Sequence, residues 1–387
     1  MSRARSFESL SGASRVLGEG ALLIEESLCI NLRGRQELCR ECAEVCACDA
    51  LTVTPDDVTL DEERCTACGA CLPVCPVGAM RLTGFVPRRF LDSLEGVESA
   101  HLHCSRSQDA GGGVVVPCHQ VLDARLLAAA GAGGTREVVL HGLDQCAECE
   151  RGEALTLTEA LGQRLAEWLG EAAPRVRAAQ PGETPQGERE RQDQVRMSRR
   201  NFLRMAGAQS AIQAAQWFAP VAEEEDDEHS LLPFYQGDGE LRRPSAYQAL
   251  LAECATALEW KADSLPWRAR TIDANCTGCQ TCGRRCPTGA LEAVETAERV
   301  TISFQPDLCT DCRLCETLCP SHALQSESLI DPDRLRTPRY PLTEHAQRQC
   351  PQCGHPFIAG QESGSGLCLT CQNEQDIDDD WMAMLSG

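Results

Sequence analysis

Two runs of cysteines constrain this chain more than any other feature in it. Cys276, Cys279, Cys282 and Cys286 precede Pro287, and Cys309, Cys312, Cys315 and Cys319 precede Pro320, so C-x2-C-x2-C-x3-C-P occurs twice. A third complete run, Cys65, Cys68, Cys71 and Cys75 before Pro76, lies upstream. Runs this tight bring several sulfurs to one point, which suits a shared metal better than independent bridges. The chain has 26 cysteines in 387 residues, while only 4% of its residues are aromatic. Aromatic rings ordinarily dominate burial, so small domains here are expected to be held partly by bound metal. A disulfide framework belongs to secreted chains, and Met1 to Leu23 lacks the continuous apolar stretch of a signal peptide.

The runs at 276–287 and 309–320 resemble the bacterial two-cluster ferredoxins, matching that signature at every cysteine and both prolines. The resemblance implies one [4Fe–4S] cluster on Cys276, Cys279, Cys282 and Cys319, and a second on Cys309, Cys312, Cys315 and Cys286. It also implies that the fourth cysteine of each run enters a helix, with Thr288–Leu291 and Ser321–Leu324 as short helical turns and Val300–Phe304 as a hairpin strand. The upstream module is a variant. Cys39, Cys42 and Cys46 lack their leading cysteine, whose place is taken by Gln36, and Cys29 stands beyond the loop 30–38. Similar C-x9-C-x2-C-x3-C starts occur in a family of ferredoxin-like proteins. They imply one cluster on Cys29, Cys39, Cys42 and Cys75, and another on Cys65, Cys68, Cys71 and Cys46. Ala47 replaces the usual proline and Cys48 adds a thiol; without Cys29 that site would hold a three-iron cluster.

The expected architecture is α+β: ferredoxin-like modules at 21–90 and 266–335, a small α/β unit at 97–170 and a zinc ribbon at 348–374. Residues 171–196 are polar and Pro/Gly-rich and read as a linker. In the α/β unit, 114–116 and 137–140 read as buried strands about a helix at 120–130, a βαβ pattern. Cys104, Cys118, Cys146 and Cys149 then fall beyond the carboxyl ends of strands, where open α/β sheets bind ligands. This pattern resembles the iron–sulfur delta subunit of methyl-viologen-reducing hydrogenases, which implies a [2Fe–2S] centre. A zinc ion or unligated thiols are the other readings, and His101, His103, His119 and His141 read as polar residues near strand ends. Thr156–Glu159 has the form of a capping box opening an amphipathic helix with Leu157, Leu161, Leu165, Trp168 and Leu169 on one side, read as packing.

Residues 197–265 read as a helical segment with an acidic linker, and Cys254 as a structural thiol on the helix Tyr247–Trp260. Met197–Arg204 resembles a twin-arginine export motif, but it is internal and its apolar stretch is interrupted by Gln209, Gln213 and Gln216. The expected location is therefore cytoplasmic, with export from an internal start at Met197 as the alternative. Cys350, Cys353, Cys368 and Cys371 form knuckles suited to one structural zinc, with a rubredoxin-type iron as the competitor. The acidic tail at 375–387 reads as disordered and as a docking peptide.

The net charge is −22, which opposes binding to nucleic acid or anionic lipid and favours a basic patch on a redox partner. No apolar run is long enough to span a bilayer. Gly111–Gly113 and Gly131–Gly134 do not form a G-x-G-x-x-G loop. The resemblance implies a polyferredoxin that relays single electrons inside a larger oxidoreductase complex, with four [4Fe–4S] clusters and one zinc and no catalysis of its own. The alternative is a redox-sensing adaptor that docks a partner through the ribbon and tail.

Overall fold

The computed structural model describes residues 21–107, 113–152, 156–183, 242–328, 331–358 and 366–386. The twin-arginine motif at 197–204 and the acidic run at 223–228 lie outside them.

The two cysteine-rich modules share one plan. In the first, Leu22–Ile24 pairs antiparallel with Met80–Leu82, and Leu51–Val53 pairs with Val58–Leu60. In the second, Arg268–Ile272 pairs with Leu324–Ser328, and Leu291–Glu295 with Arg299–Phe304. Each inner hairpin turns on a threonine. Thr54 N donates to Asp57 O at 2.9 Å, and Thr296 N to Arg299 O at 2.9 Å. The Thr54 hydroxyl also accepts from Asp57 N, so the side chain copies a backbone turn.

The short helices lie before the fourth cysteine of each run, not after it. Thr281–Arg285 ends at Cys286, Leu314–Thr317 ends before Cys319, and Cys71–Val74 ends at Cys75. The stretches after Pro287 and Pro320, expected as helical turns, are tight non-helical turns that pass through Gly289 (φ 73°) and His322 (φ 51°) into strands. The reason is visible in the amides. Leu291 N points at Cys286 Sγ (3.5 Å), Ala79 N at Cys75 Sγ (3.2 Å) and Ala50 N at Cys46 Sγ (3.3 Å). A helix would have spent those donors on carbonyls.

Between the modules, four strands form a parallel sheet in the order Val114–Val116, Ser99–Cys104, Glu137–His141, Arg175–Ala178. Helices Ala124–Ala132 and Leu157–Leu169 make the crossovers. Val138, Val139 and Leu140 are fully buried, as are Leu126 and Leu127 of the facing helix, the pattern of a covered parallel sheet. Asp123 caps that helix by accepting from Leu126 N at 3.0 Å. The fourth strand corrects the linker reading, because Arg175–Ala178 pairs with Glu137–Leu140 and belongs to the sheet. Arg177 reaches Glu137 and Glu183, so polar residues here edge a sheet rather than float. Thr156 precedes helix Leu157–Leu169 but makes no side-chain capping bond.

The units are packed together. One apolar cluster runs from the first module through the α/β unit to helix Ala246–Cys254 and on to Leu314 and Leu335. Tyr247 Oη donates to Val121 O at 2.8 Å, and Lys261 N to Trp168 O at 2.7 Å. The C-terminal segment is also continuous with the second module. Strand Tyr340–Gln349 adds to the Arg299–Phe304 strand, then pairs with Pro356–Ile358, and leads directly into Cys350. The tail read as disordered is a helix, Leu369–Ser386, which begins between Cys368 and Cys371 and exposes Trp381 and Met384. No helix among the described residues is long and apolar enough to cross a membrane.

Leu140 is fully buried in a central strand. Leu140→Ala is expected to cost about 3 kcal/mol, read as a lower denaturant midpoint of the metal-loaded chain with unchanged iron content.

Candidate metal centres

The ferredoxin-like modules gather their thiols into four groups. In the first module, Cys42 lies among Cys75, Cys39 and Cys29, and burial with mutual repulsion pushes its thiol up to about 12. Burial, joined by Cys75 and Cys29, likewise raises Cys39. The other group surrounds a small cavity lined by Cys46, Cys48, Cys65, Cys68 and Cys71. Cys48, taken from sequence as a spare thiol, is therefore on the wall of that cavity, with its sulfur 3.7 Å from Cys46 Sγ.

In the second module, Cys282 faces Cys279, Cys276 and Cys319, and its thiol is pushed up to about 12, chiefly by burial. Cys286, Cys309, Cys312 and Cys315 line a second cavity with Arg270 and Phe304. Burial pushes Cys312 up to about 12 and Cys309 up to about 11. Burial thus favours the protonated forms of Cys282, Cys309 and Cys312, so a metal that takes them as thiolates must expel their protons. In the separate cluster of nine buried residues that this module forms among those described, four are Cys282, Cys286, Cys309 and Cys315.

Residues that sequence reasoning passed over complete these surroundings. Arg270, on strand Arg268–Ile272, is 1% exposed at its side chain and pairs with Asp311 (2.6 Å) and Glu316 (2.9 Å). Its charge opposes the upward shift of Cys309 and Cys315. His345, on the strand leading to the C-terminal knuckle, sits with Nε2 3.3 Å from Cys276 Sγ. Neither has a local sequence signal, because both reach the cysteines through strand pairing.

In the α/β unit, Cys104 ends a strand, Cys118 follows one, and Cys146 and Cys149 lie in and after the 3-10 turn Leu143–Glu148. Cys104, Cys146 and Cys149 line one open cleft. Cys118 hydrogen-bonds Cys104; that bond, with Arg106 N and Arg151, draws the Cys104 thiol down to about 6 and raises Cys118. Arg151 clamps this edge to the first module, donating to Pro117 O (2.6 Å), Ser105 Oγ (3.0 Å) and Thr66 O (2.8 Å). The histidines gather beside the cysteines and engage one another. His101 Nδ1 lies 2.8 Å from His141 Nε2, His103 stacks on His141 at 4.3 Å, and His119 Nε2 donates to His141 O.

At the C-terminal knuckles, the sulfurs of Cys350, Cys353, Cys368 and Cys371 all lie within 4.8 Å of one another. Gly354, at φ 73°, makes the tight turn beneath them, with its N–H on Cys350 O at 2.8 Å. Zinc with sulfur bonds of about 2.3 Å fits such a set. Cys254 stands apart from every group, bonded to Leu250 O and Leu251 O of its own helix.

Sulfur sets of this kind, fed by backbone amides and small hairpins, define an iron–sulfur protein. Residues 275–323 match the 4Fe-4S dicluster domain family, and residues 58–81 match the 4Fe-4S binding domain family. The chain thus carries 4Fe–4S domains of the bacterial ferredoxin type. It is 43% identical over 51 residues to a ferredoxin of Alicyclobacillus acidocaldarius, covering 13% of this chain and 65% of that protein. It is 41% identical over 49 residues to a 7Fe ferredoxin of Hydrogenibacillus schlegelii, covering 13% of this chain and 63% of that one. It is also 43% identical over 44 residues to one subunit of an ion-translocating oxidoreductase complex of Methanosarcina acetivorans, covering 11% of this chain and 17% of the relative. The chain spans less than two thirds of each of these proteins.

Arg270→Gln removes the buried charge near Cys309 and Cys315 and its pair with Glu316, while Asp311 keeps Arg313 at 3.7 Å. The variant is expected to move one cluster's midpoint potential to more negative values by tens of millivolts, measured by a redox titration followed by EPR.

Proposed function

We propose that this chain is an electron-transfer protein that relays single electrons between protein partners. The observation that carries the reading is the gathering of four sets of thiols on one packed body. The sets assigned as ligands are Cys29, Cys39, Cys42 and Cys75; Cys46, Cys65, Cys68 and Cys71; Cys276, Cys279, Cys282 and Cys319; and Cys286, Cys309, Cys312 and Cys315. Each would hold a [4Fe–4S] cluster, which supplies one-electron storage when bound.

Asn31 supports the place given to Cys29. It is fully buried, donates to Cys39 O at 2.9 Å, and accepts from Leu38 N and Cys39 N at 2.9 Å each. Those bonds close the loop 30–38 and hold Cys29 beside Cys39 and Cys42. Cys350, Cys353, Cys368 and Cys371 are assigned to zinc, and their closeness is the support. Cys104, Cys118, Cys146 and Cys149 are assigned to a [2Fe–2S] centre at the carboxyl edge of the parallel sheet.

The charge of −22 suits a basic docking surface on the partner. That a relative belongs to an oxidoreductase complex supports a role inside such an assembly. The thiol content suits a reducing compartment, so the cytoplasm is the location this reading assigns.

Iron, labile sulfide and zinc should be counted on protein purified without oxygen. The expected result is about eighteen irons and one zinc per chain, or about sixteen irons if the middle cysteines hold none. About eight irons would mean one loaded module and would end the relay reading.

A further inference from the structure

The loop between Cys29 and Cys39 contains a helix that a C-x2-C spacing would leave out, Ile30–Gly34. Cys29 is its N-cap residue. Its other end touches the second module. Arg33, 5% exposed, donates through Nε to Ser27 O at 2.5 Å and through Nη1 to the carbonyl of Cys286 at 3.5 Å. A Cβ placed on Gly34 would lie 2.9 Å from Leu38 Cδ1 of its own loop and 3.1 Å from Leu314 Cδ1, so the two modules meet there and a larger residue presses on both. Leu314 is 1% exposed and stands between Cys312 and Cys315. Cys312, Leu314 and Leu318 share an apolar cluster with Ile30, Leu32 and Leu38.

The contact joins two particular thiol groups. A five-residue helix rises about 7.5 Å, and this one starts at Cys29 and ends against the loop that carries Cys312 and Cys315. Cys286, whose carbonyl accepts from Arg33, lines the same cavity as those two cysteines. Electron tunnelling weakens steeply with distance, and more steeply across water than through packed protein. A buried guanidinium between two anionic centres also offsets their repulsion.

We infer that the inserted helix Ile30–Gly34 is the junction at which electrons cross between the two modules, with Arg33, Gly34 and Leu314 as positioning residues. The inference rests on the four-cluster reading above. The electron leaves a reduced cluster of one module, which is oxidised, and reduces an oxidised cluster of the other. No bond forms or breaks and no proton moves.

The test uses the full metal-loaded chain beside two variants, Gly34→Phe and Leu314→Ala. Gly34→Phe presses a ring on Leu314 and on Leu38 of its own loop, while Leu314→Ala opens the contact from the second module and leaves the residues of the Cys29 loop unchanged. One readout is EPR power saturation of the fully reduced protein, which reports how closely the spins of the two modules interact. The other is the redistribution of cluster signals in freeze-quenched samples after a substoichiometric pulse of viologen radical. With iron content unchanged, both variants are expected to saturate more readily and to redistribute electrons about tenfold more slowly or worse.

Relaxation and redistribution equal to those of the unaltered chain in Leu314→Ala would overturn the junction. So would a Gly34→Phe protein that loses iron while Leu314→Ala behaves normally, since the helix would then serve only to hold Cys29. An unaltered chain with about sixteen irons and insensitive exchange refutes the junction alone; about eight irons refutes the cluster reading and the junction with it.

Discussion

The bond between cysteine sulfur and metal is the constraint on which both ferredoxin-like modules rest. The second module's separate cluster has nine buried residues among those described, and Cys282, Cys286, Cys309 and Cys315 are four of them; Trp267, Leu314 and Leu335 join the larger cluster instead. The C-terminal knuckle is more extreme, since its buried cluster is Cys350, Leu367 and Cys371. Apolar burial on that scale stabilises little. Without metal, Cys42 and Cys282 are pushed toward their protonated forms, chiefly by burial and further by neighbouring cysteines. A metal that accepts them as thiolates turns mutual repulsion into a shared bond, and its binding free energy becomes folding free energy.

The α/β unit follows a different rule. Its sheet is covered by helices, and Leu102, Leu126, Leu127, Val138 and Leu140 are all fully buried. It can fold on ordinary packing, and it gives the first module a rigid neighbour through Arg151, while the Val121–Tyr247 bond ties it to helix Ala246–Cys254. The same apolar cluster reaches Leu314 in the second module. Two modules far apart in sequence are therefore parts of one body, a geometry that a relay needs and that a pair of tethered ferredoxins would lack.

The cysteine groups were legible in sequence because their spacing is local: a C-x2-C-x2-C run can hardly avoid wrapping one point. The pairing of each run's fourth cysteine with the other run was readable only through the resemblance; in the structure Cys75 lies near Cys42, Cys319 near Cys282 and Cys286 near Cys312. The βαβ unit was legible from Val114–Val116 and Glu137–Leu140, whose apolar runs announce buried strands. Arg175–Ala178 was missed because a strand of arginine, valine and alanine at a sheet edge carries no apolar run. The tail was missed because acidic residues mask the helical spacing of Ile377, Trp381 and Met384. Arg33, Arg270 and His345 act across strand pairings or module contacts, as the sequence separation of 253 between Arg33 and Cys286 shows.

The most direct test of this account is hydrogen–deuterium exchange on the full chain before and after anaerobic removal of its metals. If metal stands in for core, residues 39–75, 276–319, 350–358 and 366–371 lose protection when the metals leave. The strands Ser99–Cys104 and Glu137–His141 and the helix Ala124–Ala132 keep theirs. Protection that survives in the cysteine-rich modules of the stripped protein would contradict the account, because those modules would then be folding on packing alone.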